Sequence, residues 1–119
     1  MAPLWVNVDV EREGRLPAEE LLEVVRGGLG EHYEVYDPGR WQVPDVMVKR
    51  SDAVGVAIQI LRRRHHGRIR LRCAVMAPKV ALRGATPISR TMEVEQGSGL
   101  LDEVVAFLRE DARLGDAGS

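Results

Sequence analysis

The chain has 119 residues, of which 45% are hydrophobic and 29% charged, and its formal net charge is −1. These values are typical of one folded domain with a proper core. No apolar run approaches the roughly 20 residues of a membrane-spanning helix, and the N-terminus lacks the pattern of a signal peptide. The single cysteine, Cys73, cannot form an internal disulfide. We therefore expect a cytoplasmic protein of bacterial type, and its arginine-rich, asparagine-poor composition fits a GC-rich or thermophilic genome.

A strand and a helix open the chain. Val6, Val8 and Val10 alternate with polar residues, which predicts a strand with one buried face. Pro17 suits the first position of the helix that follows. Apolar residues recur in this helix at helical spacing, at Ala18, Leu21, Leu22, Val25 and Leu29. The pair Gly27-Gly28 predicts that the helix ends or frays there.

The middle of the chain reads as four strands. Short strands are predicted at 33–36 and 46–50, and a hairpin turning near Gly67 is predicted over 53–76. The first arm of the hairpin is apolar on both faces, as in a central strand. The second arm alternates between apolar residues and arginines, so one face is buried and the other faces water.

The last part of the chain carries a further strand and a second helix. A mixed pattern over 88–95 predicts a weaker last strand, and Ser98 is a plausible N-cap. A second apolar stripe then follows helical spacing, at Leu101, Val104, Val105 and Leu108.

The order is therefore strand, helix, four or five strands, helix. Without the weak strand over 88–95 it is β-α-β-β-β-β-α, and this order predicts the α+β class. We expect one antiparallel curved sheet of about five strands with two helices packed on one face. Residues 1–113 form this single domain, and residues 114–119 are expected to be a disordered tail. The element order resembles that of helix-grip folds and of each half of the TATA-binding protein. That resemblance implies an architecture and carries no function.

Charge is segregated along the sequence. Between Lys49 and Arg90 there are 11 basic residues and one acidic residue, Asp52, whereas the two flanks together carry a net charge of −11. One interpretation is an anion-binding centre. The other, which we favour because the charges nearly cancel, is that acidic flanks neutralise the centre within the fold.

The candidate anion-binding or nucleic-acid-binding residues belong to the basic centre, and they are Arg63, Arg68, Arg70, Arg72 and Lys49. Alternate residues of a strand lie about 6.6 Å apart, which roughly matches successive phosphates of a single strand. No aromatic residue is interleaved to stack on bases. We therefore prefer a solvated face whose arginines pair across strands with acidic residues, namely Asp9, Glu11, Glu93 and Glu95.

Two tryptophans are candidate interface residues. Trp5 falls on the polar face of its strand, where a tryptophan is costly to leave in water, and Trp41 lies in a polar stretch. We expect no catalytic, cofactor or metal site. Cys73 falls on an apolar strand face, and the adjacent His65 and His66 lack further ligands at metal-binding spacing.

Three functions remain open at this point. The favoured one is a non-catalytic binding or assembly module. An edge strand or the outer sheet face could join two copies of it into a homodimer. The second is an anion or single-stranded nucleic-acid binder that uses the arginine-rich hairpin. The third is a small-molecule binder with a pocket between sheet and helices.

Overall fold

In the part of the chain that the structure describes, five antiparallel strands form one sheet, and two helices accompany it. The structure is a computed structural model that describes residues 5–12, 14–39, 44–51, 54–64, 66–76 and 91–110, without the side chains of 91–96. Trp41, His65, the expected strand residues 88–90 and the expected tail 114–119 lie outside these ranges. The helices and strands are β1 Trp5–Val10, α1 Ala18–Leu29, β2 Glu34–Tyr36, β3 Val46–Lys49, β4 Gly55–Ile60, β5 Ile69–Met76 and α2 Thr91–Glu110. The predicted α+β class and element order are confirmed.

The strands are ordered β1-β5-β4-β3-β2 across the sheet. Helix α1 carries the chain from β1 at one edge to β2 at the other, and β3, β4 and β5 then return as a meander. β5 closes beside β1, with Val8 opposite Leu71. The predicted central position of β4 is confirmed, and its residues 55–58 are buried: Val56 and Ile58 belong to the main core, and Ala57 is covered on the opposite face.

The main core lies between the sheet and the helices. On β5 the inward residues Ile69, Leu71, Cys73 and Val75 are all buried, which confirms the predicted register. Helix α1 packs over β2 and β3, while α2 packs over β5, β1 and β4. Both helices are therefore on the same face, and burial of apolar area between these layers is the main stabilising term.

Helix α2 starts earlier than the sequence pattern predicts. Residues 91–95 are helical, so the predicted strand over 88–95 is wrong in that part, and Ser98 lies inside the helix and not at its N-cap. The stripe predicted for the second half of α2 is buried as expected. Gly97 explains part of the difference, because a Cβ at this position would lie 2.3 Å from Cγ1 of Val75. The helix approaches β5 so closely that tertiary packing outweighs the weak helix propensity of glycine.

The glycine pair in α1 does not end that helix. Helix α1 continues to Leu29, and Gly30 is its C-cap, with its backbone N–H donating to the carbonyl of Arg26 at 2.9 Å. Gly28 serves a packing role, since a Cβ there would lie 2.0 Å from the ring of Phe107 in α2. Gly28 is thus a helix contact point, and the pair Gly27-Gly28 does not terminate α1.

The face of the sheet turned away from the helices, here called the outer face, is not uniformly polar. Met47 and Ala57 are buried there and pack with Tyr36 and Met76. Charged residues of the outer face lie on the β1–β5 side, and Lys49 with Glu34 forms a separate charged pair on β3 and β2. We call the part of the outer face on β1 and β5 its charged half.

Candidate interaction surface on the outer sheet face

The charged half of the outer face is built by two neighbouring strands. Arg70 and Arg72 point outward from β5, and Arg68 lies immediately before that strand. The pairing of β1 with β5 sets Asp9 opposite Arg70 and Asn7 opposite Arg72. Side chains directly opposite each other in an antiparallel pair are within interaction distance, so β1 determines what the arginines contact.

Two of the arginines are neutralised by β1. Nε of Arg70 donates to Oδ1 of Asp9 at 2.8 Å, and Nη2 donates to Oδ2 at 3.2 Å. This hydrogen bonding raises the pKa of Arg70, which stays charged. Nη2 of Arg68 donates to Oε1 of Glu11 at 2.6 Å. The acidic partners are thus Asp9 of β1 and Glu11, which directly follows β1.

The prediction that Glu93 and Glu95 pair with these arginines across strands is wrong. Glu93 and Glu95 belong to the first turns of α2, so neither lies on a strand beside β5. The helical conformation of this segment removes the cross-strand pairing that the sequence pattern favours.

Arg72 makes a different contact. Its guanidinium carbon lies 5.3 Å from the centre of the Trp5 ring, which is a cation–π distance. Trp5 is 54% exposed and is the large hydrophobic residue left most open among the described residues. The expectation that the arginine face lacks an aromatic platform is therefore wrong, because Trp5 supplies one from the adjacent strand. We call Trp5 and Arg72 together the Trp5–Arg72 stack.

The remaining basic candidates do not join the stack. Lys49 is on β3, two strands away from β5, and its Nζ lies 3.7 Å from Oε2 of Glu34 on β2. Arg63 is exposed in the turn between β4 and β5. The predicted set is thus divided among three places, and only Arg68, Arg70 and Arg72 share a surface.

The two edges of the described sheet differ. At the β2 edge, Nε and Nη2 of Arg26 both donate to the backbone carbonyl of Val35, at 3.3 and 3.0 Å. At the other edge, β1 pairs with β5 on one side, and no described strand pairs with it on the other. Edge strands normally carry protective features against pairing with another chain. Arg26 is such a feature for β2.

The thiol of Cys73 is not accessible to solvent. It is fully buried on the helix side of β5. Burial raises the pKa of its thiol to about 12, so the nucleophilic thiolate is disfavoured. The side chain acts as a small hydrophobic residue.

Comparison with protein-family models, with curated proteins and with solved structures finds no match to this chain. Neither described helix combines the length and apolar composition needed to cross a membrane.

Proposed function

We propose that this chain is a cytosolic, non-catalytic assembly module that joins a second copy of itself through strand β1. The observation that carries the proposal is Trp5, an exposed tryptophan on an edge strand that no described strand covers. Tryptophan and arginine are enriched among the residues that dominate binding energy at protein interfaces. In the Trp5–Arg72 stack, the guanidinium of Arg72 reaches from β5 to the ring of Trp5 on the edge strand β1.

The charges of β1 also favour pairing. Asp9 within the strand and Glu11 just after it are both engaged by arginines of their own chain. An edge strand with unpaired charges would repel its own copy, whereas this one presents neutralised pairs. The alternation of β1 places valines on the helix side, so pairing would continue the apolar face of the sheet into the second copy.

One antiparallel register fits best. Alignment of two β1 strands about Asn7 places Trp5 opposite Asp9 of the second copy and Val6 opposite Val8. An alignment of the two β1 strands about Val8 would instead make the two Asp9 residues diagonal neighbours, which is unfavourable because their charges repel. The register about Asn7 keeps them apart, and it has the two-fold symmetry of a closed dimer.

Sedimentation equilibrium over a concentration series tests the assembly. We expect a reversible monomer–dimer equilibrium that Trp5→Lys shifts to monomer, because an edge lysine opposes strand pairing. Glu31→Lys is the control: it introduces the same residue at an exposed position in the turn before β2, away from β1, and should leave the dimer intact. A wild-type monomer at all concentrations, or equal loss in both variants, would refute the proposal.

Disulfide cross-linking tests the register. In the alignment about Asn7, an Asn7→Cys side chain meets its own copy directly and should cross-link on mild oxidation. Asp9→Cys is the control, because its copy lies too far along the strand for a disulfide. The buried Cys73 does not compete. Cross-linking of Asp9→Cys without Asn7→Cys would show a different register.

A single-stranded nucleic-acid binder is the second candidate, and the exposed ring of Trp5 beside Arg72 is the observation that favours it. Such a pair resembles a base-stacking site. The pairing of Arg68 and Arg70 opposes it, so we expect only weak binding of oligo-dT, steeply reduced by salt. Submicromolar binding at about 150 mM salt that is abolished by Arg68, Arg70 and Arg72 together changed to Gln would make this candidate the better one.

A further inference from the structure

An open cleft of about 510 Å³ lies at the end of the sheet, between the turn joining β4 to β5 and the start of α1. It is separate from the outer face. Its lining combines three arginines and one aspartate with an apolar floor, and the residues that matter here are Arg15, Arg62, Arg64, Asp45, Leu16 and Ile69. We propose that this cleft binds a small phosphate ester with an apolar or aromatic body.

Arg64 gives the cleft a fixed wall. Its guanidinium donates to the backbone carbonyls of Gly67 and Gly14, both at 2.9 Å, and to that of Arg12. These bonds tie the turn of the β4–β5 hairpin to the segment between β1 and α1. Two chain segments about 50 residues apart in sequence are thereby held at a set distance. A preformed wall lowers the entropic cost of ordering a binding site.

The other two arginines supply the charge. Arg15 and Arg62 are exposed, and no described carboxylate forms an ion pair with either. Asp45 is engaged within the fold, because its Oδ2 accepts the backbone N–H of Ile60 at 2.7 Å. With three guanidinium groups against one carboxylate, the cleft favours an anion.

Guanidinium geometry narrows the class of anion. Arginine offers parallel N–H donors that match two oxygens of a phosphate or carboxylate. Two or three arginines around one ligand suit the higher charge of a phosphate monoester. The floor residues Leu16 and Ile69 are each only 6% exposed and offer an apolar surface to the organic part. A cleft of this volume is in the usual range for small-molecule sites.

Calorimetry and amide NMR spectra at low salt, with phenyl phosphate as the probe, test the proposal. We expect binding with shifts confined to residues 15–18 and 60–64. Arg15→Gln and Arg62→Gln should each weaken binding about tenfold, the loss of one charge-assisted contact. Both residues are exposed, so the variants should retain the wild-type melting temperature. Arg63→Gln is the matched control, because Arg63 is an exposed neighbour that does not line the cleft.

The outcomes are separable. No binding of phenyl phosphate, or equal weakening by Arg63→Gln, would overturn the proposal, because the attraction would then be general charge. Inorganic phosphate alone should bind more weakly than phenyl phosphate, and phenol should not bind. Equal affinity for inorganic phosphate and phenyl phosphate would refute the claim that the cleft also binds the organic part of the ligand. The Trp5→Lys monomer should still bind phenyl phosphate, since the cleft does not involve β1.

Discussion

Replacement of Gly28 by alanine tests how closely the two helices pack. In the folded protein a Cβ at this position would lie 2.0 Å from Cε2 of Phe107 and 2.4 Å from Cζ. Such distances are far inside van der Waals contact. The half-buried Phe107 ring, or α2 itself, must therefore move to accept a single methyl group.

Two opposing terms determine the size of the effect. Alanine is preferred over glycine in a helix interior by about 1 kcal/mol. Overpacking of a close contact typically costs about 1–3 kcal/mol. We expect Gly28→Ala to lower the free energy of unfolding by about 1 kcal/mol, the middle of the range left when the first term is subtracted. Urea unfolding followed by circular dichroism measures this difference.

Gly99→Ala is the matched control. Gly99 is also inside a helix, but a Cβ there would meet nothing within 4 Å, so we expect stabilisation by up to about 1 kcal/mol. Removal of the ring with Phe107→Ala should convert Gly28→Ala from destabilising to stabilising, a coupling that a double-mutant cycle detects. Stabilisation by Gly28→Ala in the wild-type background, equal to that of Gly99→Ala, would refute the close approach of the helices.

Three further predictions concern the core and its titratable groups. Leu71→Ala should lower the free energy of unfolding by about 2–5 kcal/mol, and Val104→Ala by less because it deletes fewer carbons, while Arg70→Ala should have a much smaller effect on the urea midpoint. Cys73 should resist iodoacetamide at pH 8 until the protein is unfolded. Folding raises the pKa of its thiol from 9.0 to about 12, so as the pH rises the unfolded state loses the thiol proton before the folded state does. The free energy of unfolding should therefore fall as the pH rises above 9. The Tyr33 hydroxyl donates to Oε2 of Glu103 at 2.6 Å, which raises the tyrosine pKa above 10.0, so an absorbance titration should show Tyr33 ionising later than free tyrosine, and Tyr33→Phe should remove this late step.

The strand faces could be predicted from the sequence because their signal is local. On β5 the period of two separates Ile69, Leu71, Cys73 and Val75 from the arginines without any knowledge of the neighbouring strands. The start of α2 could not be predicted from the sequence, because Gly97 and Gly99 are poor helix formers and their presence argues locally against a helix. The contact of Gly97 with Val75 is a tertiary effect, and no window of sequence contains both residues.

The candidate surface shows the same limit. The pairing of Asp9 and Glu11 with arginines was predictable as one of several options, since acidic and basic residues alternate on two strands. The Trp5–Arg72 stack could not be predicted, because it requires β1 to lie beside β5. Trp5 and Arg72 are 67 positions apart in the sequence. The cleft likewise joins Arg15 to Arg62 only after the chain has folded. Residues that lie side by side on these surfaces come from segments whose adjacency is set by strand order.

The bonds from Arg26 to the carbonyl of Val35 limit how far the proposed assembly could grow. A sheet with two open edges can add copies at both ends without a stopping point, which leads to fibres. Because Arg26 occupies the β2 edge, a pair joined through β1 would present two protected outer edges and growth would end at two chains. Arg26→Ala would remove this terminator. A protein whose dimer forms through β1 should then elongate into rods, visible by electron microscopy, while Arg26→Ala combined with Trp5→Lys should not.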